Sequence, residues 1–166
     1  MNVAVVLGTS KSDGNTRRLV NEFVYQSGAA LFDLSEREIS YYDYEHKNRM
    51  DDFLPLIIEL SEFDHIVFAS PVYWYSMSAQ LKVFFDRLSD LLTIEKQLSR
   101  RLKGKSISIL STGYNTELPE CFIEPFVLTA KYMHMEFNGW TYAAIQSEVD
   151  LAALEAVAEM ALHKIH

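Results

Sequence analysis

Cysteine is almost missing from this chain: Cys121 stands alone among 166 residues. No internal disulfide can form and no set of thiolates can hold an iron–sulfur cluster, which suits a reducing cytoplasm. Cys121 itself reads as a partly buried small side chain near a late helix. Positive charge is also short, since 15 Lys and Arg face 23 Asp and Glu for a net charge of −8. The acidic residues are spread along the chain, so no basic face is available to a nucleic acid. Long apolar runs are absent as well. The longest are strand-sized, and the first of them begins at the N-terminus, so neither a membrane span nor a leader peptide is expected. His46 lies between Asp43 and Glu45 without a metal-ligand spacing, and His134, His163 and His166 read as strand, helix-end or tail residues; no metal site and no catalytic side chain is expected among them.

Glycine is scarce too, with six in all, and its placement excludes the familiar phosphate loops. Gly8 is followed by no second glycine before Gly14, so the dinucleotide fingerprint is missing. Five residues separate Gly8 from Gly14 where a Walker loop has four, and Asn15 stands where that loop needs lysine. A phosphatase loop of this layout needs a nucleophilic cysteine, and none is there.

What is present begins at once. Asn2-Val3-Ala4-Val5-Val6-Leu7 is a short β-branched run, the pattern of a strand buried on both faces. It feeds a hydroxyl-rich loop, Gly8 to Thr16. Leu19, Val20, Phe23 and Val24 then recur at helical spacing, so a helix begins at Asn15 or Thr16. Unpaired N–H groups at such a start favour an anion, with Ser10, Ser12 and Thr16 offering hydroxyls and Lys11 charge. The plainer alternative is a turn whose hydroxyls cap the helix.

A second loop follows the apolar strand His65-Ile66-Val67-Phe68-Ala69. Pro71 ends that strand, Ser76 or Ser78 can cap the next helix, and Leu81, Phe84, Phe85 and Leu88 form that helix's apolar stripe. Between them stand three large aromatics, Tyr73-Trp74-Tyr75, at the carboxyl end of a strand, where open α/β sheets bind ligands.

The two loops together resemble those of the flavodoxin-like NAD(P)H-dependent FMN reductases and quinone reductases. The family's first loop, G-[ST]-x-x-x-x-G-N-T, is matched by Gly8 to Thr16, and its S-P-x-Y-x-x-S loop with an x-x-L-K-x-F-x-D-R helix by Ser70 to Arg87. Ser106 to Tyr114 is similar to the family's fourth strand and ring-side loop. The resemblance implies a flavodoxin-like three-layer sandwich with a five-stranded parallel sheet of order 2-1-3-4-5. It implies that Ser10, Lys11, Ser12, Asn15 and Thr16 hold the FMN phosphate, while Pro71, Val72, Tyr73, Trp74, Ser76, Thr112, Gly113 and Tyr114 frame the flavin ring. It further implies NADPH or NADH as co-substrate, a small-molecule electron acceptor such as a quinone, nitro- or azo-aromatic, free flavin or metal chelate, and a homodimer with the Tyr73–Tyr75 loop near its interface. A flavodoxin-like one-electron carrier is the alternative. The longer first loop, Lys11 and only mild acidity favour the enzyme.

The remaining chain reads as one domain, residues 1–166, of five strands and five helices. Residues 29–34 read as strand two, 53–60 as helix two with Pro55 in its first turn, Glu124-Pro125 as the opening of helix four, 136–142 as strand five, and Leu151 to Ile165 as the last helix. Alternation of strands and helices implies a parallel sheet with right-handed crossovers, which brings the three loops to one edge. The segment Tyr41 to Met50 is either a tyrosine-rich flap over a flavin or a solvated charged loop.

Overall fold

The computed structural model describes residues 1–146 and 151–165. The expectation for His166 lies outside them. Five parallel strands, β1 (Val3–Leu7), β2 (Ala30–Asp33), β3 (His65–Pro71), β4 (Ser106–Gly113) and β5 (Glu136–Ala144), form one sheet in the order β2-β1-β3-β4-β5. The expected order 2-1-3-4-5 is the observed one. β1 and β3 are buried along their whole lengths, which is why they read as unbroken apolar runs rather than alternating ones.

Helices cover both faces. Alternate residues of β1 point to opposite sides, so Val3, Val5 and Leu7 pack with α1 (Asn15–Ser27) and α6 (Leu151–Leu162) through Leu19, Phe23, Leu154 and Ala158. Ala4 and Val6 face the other way, onto α2 (Phe53–Leu60), α3 (Ala79–Thr93) and α5 (Glu120–Tyr132) through Leu56, Phe84, Phe122 and Phe126. A single 3₁₀ turn, Leu34–Glu36, follows β2, and Arg17 of α1 is ion-paired to the buried Asp33 beside it. Among the described residues no helix is long and apolar enough to cross a membrane.

Two elements and one residue differ from the sequence reading. The helix expected from Glu124-Pro125 opens at Glu120, so Pro125 lies inside it. Buried Phe122 and Phe126 carry the stripe back a full turn, and their burial outweighs the amide lost at the proline. A sixth α-helix, α4 (Lys96–Leu102), precedes β4; with one buried residue in seven it leaves almost no periodic signal. Cys121 is exposed on α5 rather than partly buried, one position before the buried face begins.

Candidate functional site

The carboxyl ends of β1, β3 and β4 carry the three loops. Gly8 leaves β1 with its N–H donating to the Ala69 carbonyl at 2.9 Å. A Cβ there would meet Leu81 Cβ at 2.8 Å and the Ser78 hydroxyl at 2.9 Å, so only glycine lets the first loop lie this close to the start of α3. Ser78 is meanwhile the side-chain cap of α3, accepting from the Leu81 N–H at 3.2 Å.

α1 is built the other way. It starts at Asn15, behind Gly14, and no side chain caps it. The first amides of a helix have no partner within it, so this end presents N–H groups and the positive end of the helix dipole. The hydroxyls of the first loop are therefore not engaged as caps. Thr16 is buried, its hydroxyl 2.7 Å from that of buried Thr112 at the end of β4. That contact ties the first loop to the third.

A cavity of about 290 Å³ opens above this pair, lined by Thr9, Lys11, Gly14, Asn15, Thr16, Pro71, Val72, Tyr73, Thr112, Gly113, Tyr114 and Ile145. It joins nine of the thirteen residues expected at a site. Ser10, Ser12, Trp74 and Ser76 do not line it. Ser10 is exposed and shares a long 3.3 Å contact with Gln80, and Ser12 is exposed. Ser76 closes a hairpin with Tyr73, the two exchanging backbone bonds of 2.9 and 3.0 Å. Trp74 lines an adjoining cavity of about 190 Å³ with Val72, Tyr75, Tyr114, Asn115 and Tyr142. Val72 and Tyr114 border both spaces. Thr9, Ile145, Asn115 and Tyr142 were missed from the sequence; Tyr142 was hidden in strand five, and its hydroxyl donates to the Asn115 carbonyl at 2.7 Å.

The segment from Ser40 to Asp51 borders neither cavity. It is clamped to α3 by Arg87, which is buried. The guanidinium donates to Asp90 at 2.8 Å, to Asp51 at 2.5 Å and to the carbonyls of Ser40 at 3.0 Å and Asn48 at 3.3 Å, while His46 Nδ1 lies 2.7 Å from Asp90. Burial alone would lower Arg87's affinity for its proton. The hydrogen bonds to Asp51 and Asp90 outweigh it and hold the group above its ordinary value. Burial would likewise raise Asp51, yet the bonds from Arg87 and from the Ser40 and Phe53 amides hold it below the usual carboxylate range. The segment is an anchored loop with Tyr41, Tyr44 and Met50 turned outward.

Comparison with known proteins adds the chemistry. Residues 1–118 match the sequence model of the NADPH-dependent FMN reductases. YwqN of Bacillus subtilis (strain 168), whose name describes an NAD(P)H-dependent FMN-containing oxidoreductase, is 28% identical over 152 residues, covering 84% of this chain and 83% of its own. Among solved structures, the Trp repressor binding protein from Bacillus subtilis superposes with a TM-score of 0.74 at 23% identity, covering 95% of this chain and 96% of that one. The FMN-dependent NADH-azoreductase from Bacillus anthracis str. Ames Ancestor, solved in complex with FMN, gives 0.72 at 9% identity over 100% of both chains. At such identities the last two speak for the fold alone. The family match covers all three β-strands that carry the loops, and the chain belongs to the NADPH-dependent FMN reductase family, oxidoreductases that work with FMN and a reduced nicotinamide.

Proposed function

We propose that this chain takes hydride from NADPH or NADH through FMN and delivers the electrons to a small acceptor, a quinone, nitro- or azo-aromatic, free flavin or metal chelate. The observation that carries the reading is the uncapped start of α1, opening into a cavity that runs from Lys11 to the aromatic loops. The residues fit the cofactor. A phosphate at the start of α1 meets unpaired amides and the positive end of the dipole, with Lys11 and Asn15 on the cavity wall. The Thr16 and Thr112 hydroxyls share one hydrogen bond, so the pair retains a second proton to donate. Pro71, Val72, Tyr73, Gly113 and Tyr114 offer backbone and flat side chains for the ring, and Trp74 lies beyond it at the mouth.

When bound, FMN supplies the hydride and electron chemistry. The chain's share is to bind the phosphate, orient the ring between two loops and leave one approach open. No side chain needs to act as acid or base, and among the described residues the titratable groups on the cavity wall are Lys11, Tyr73 and Tyr114. We read the site as cytoplasmic, a reading supported by the exposed thiol of Cys121. We read the working unit as a homodimer. The exposed Leu92, Leu128 and Tyr132 lie along one groove of α3 and α5 and offer an apolar face for a second copy, as the Tyr73–Tyr75 loop does. Sedimentation equilibrium at micromolar protein is expected to give twice the chain mass, and a monomer would contradict it.

The test of function is steady-state oxidation of NADPH and of NADH by the FMN-loaded protein with menadione, an azo dye and ferricyanide. Turnover that requires FMN is expected. Failure with every acceptor contradicts the reading.

A further inference from the structure

The third loop, which follows β4, is held from the β5 side. Three successive carbonyls are taken there: that of Gly113 by the Ile145 N–H at 2.8 Å, that of Tyr114 by the Gln146 side-chain amide at 3.3 Å, and that of Asn115 by the Tyr142 hydroxyl at 2.7 Å. In a trans peptide the N–H points opposite to the carbonyl, so the amides of Tyr114, Asn115 and Thr116 are turned away from β5. The loops of β1 and β3 stand on that side, because the sheet runs β1-β3-β4-β5. Thr112, Gly113 and Tyr114 line the 290 Å³ cavity there.

Of the three bonds, that of Tyr142 is the shortest, and its donor is a stiff ring fixed from below. Tyr142 is paired in register with Ser111, its ring packs against the core of the α3 and α5 face, and its hydroxyl reaches forward to Asn115. Burial raises the phenol's pKa above its ordinary value, so the hydroxyl keeps its proton and remains a donor at neutral pH.

Gly113 is a second, independent sign of the same fit. It is not among the glycines with positive φ, so its backbone would suit other residues. What leaves no room for a side chain is Tyr142: a Cβ on Gly113 would meet its hydroxyl at 2.6 Å and its ring at 3.2 Å. A methyl group there has to push the phenol off Asn115. Tyr142 lies beyond residues 1–118, so the family match assigns it nothing.

We propose that Tyr142 is a positioning residue for FMN: its phenol is the post against which the third loop turns, and through Gly113 and Asn115 it sets how that loop meets the flavin ring. The assignment rests on the function proposed above for the identity of the ligand.

The test is fluorescence titration of the full chain with FMN. Tyr142→Phe keeps the ring and removes the hydroxyl; it should bind FMN about fivefold more weakly, the worth of one neutral hydrogen bond, and should change the visible circular dichroism of the bound flavin. Unchanged affinity with an unchanged spectrum overturns the proposal, and a lowered thermal midpoint beside them assigns the phenol to packing alone. Gly113→Ala should cost about tenfold, because its methyl displaces the phenol. With Tyr142→Ser already in place, Gly113→Ala should cost little more, and an equal cost in both backgrounds overturns the coupling. If Gly113→Ala does not fold, Tyr142→Phe decides alone. Binding is read without turnover, so the two readings fail separately. The expected losses in a chain that oxidises neither NADPH nor NADH overturn the reductase and leave Tyr142 in its role; turnover with an FMN affinity indifferent to Tyr142→Phe overturns Tyr142 alone; a parent chain that binds no FMN overturns both.

Discussion

At the scale of single residues the site rests on Thr16. Its hydroxyl is buried against Thr112, so it links two loops and faces the cavity at once. Thr16→Ala is expected to weaken FMN binding by about ten- to a hundredfold, the worth of one charge-assisted hydrogen bond of roughly 1.5–3 kcal/mol. Riboflavin, without the phosphate, should bind the parent chain far more weakly than FMN and should lose little more in the variant. Fluorescence titration measures both, and equal losses for the two ligands would remove Thr16 from the phosphate. Ser10→Ala should have the smaller effect, because Ser10 is exposed and turned to Gln80. The sequence displayed four hydroxyls and a lysine in one loop but not which of them point inward. That choice is made by β4, whose Thr112 lies 96 positions away and meets Thr16 only through the sheet order.

Among elements, α3 does two jobs. Its start, capped by Ser78, packs under Gly8, and its ninth residue, Arg87, clamps the segment Ser40–Asp51. Arg87→Met is expected to strand Asp51 and Asp90 near apolar surroundings and to cost about 3–5 kcal/mol, as breaking a buried pair does. Urea unfolding measures the loss, and limited proteolysis should cut first between residues 40 and 51. A variant as stable and as resistant as the parent would show that the clamp holds nothing. The arginine was legible as part of a resemblance and not as a clamp, since its partners Ser40, Asn48 and Asp51 belong to a loop with no period of its own. Helix α5 shows the opposite failure. Phe122 and Phe126 stood in the sequence at helical spacing, and the weight given to Pro125 as an opening residue hid the turn before it.

For the whole molecule, the sheet was the most legible feature. Runs such as Val3–Leu7 and His65–Ala69 can be buried on both sides only within a parallel sheet covered by helices. One member of that core also sets a pH dependence. His65 in β3 is fully buried, with its ring nitrogens 2.7 Å and 2.8 Å from the Ser106 and Ser108 hydroxyls of β4, and burial lowers its pKa from 6.5 to about 4. Between those values the unfolded chain takes up a proton that the folded chain refuses. Stability is therefore full above about pH 6.5 and falls by about 3 kcal/mol as the pH drops to about 4. Urea midpoints across this range should show the fall, and His65→Gln should flatten it; an unchanged slope would clear His65. The most direct test of what the molecule does is one anaerobic titration. Under argon, NADPH or NADH added in equal amount to the FMN-loaded protein should bleach its yellow colour, and menadione added next should restore it. Colour that survives both nicotinamides while dithionite removes it would contradict the reductase and leave a flavin-binding electron carrier in its place.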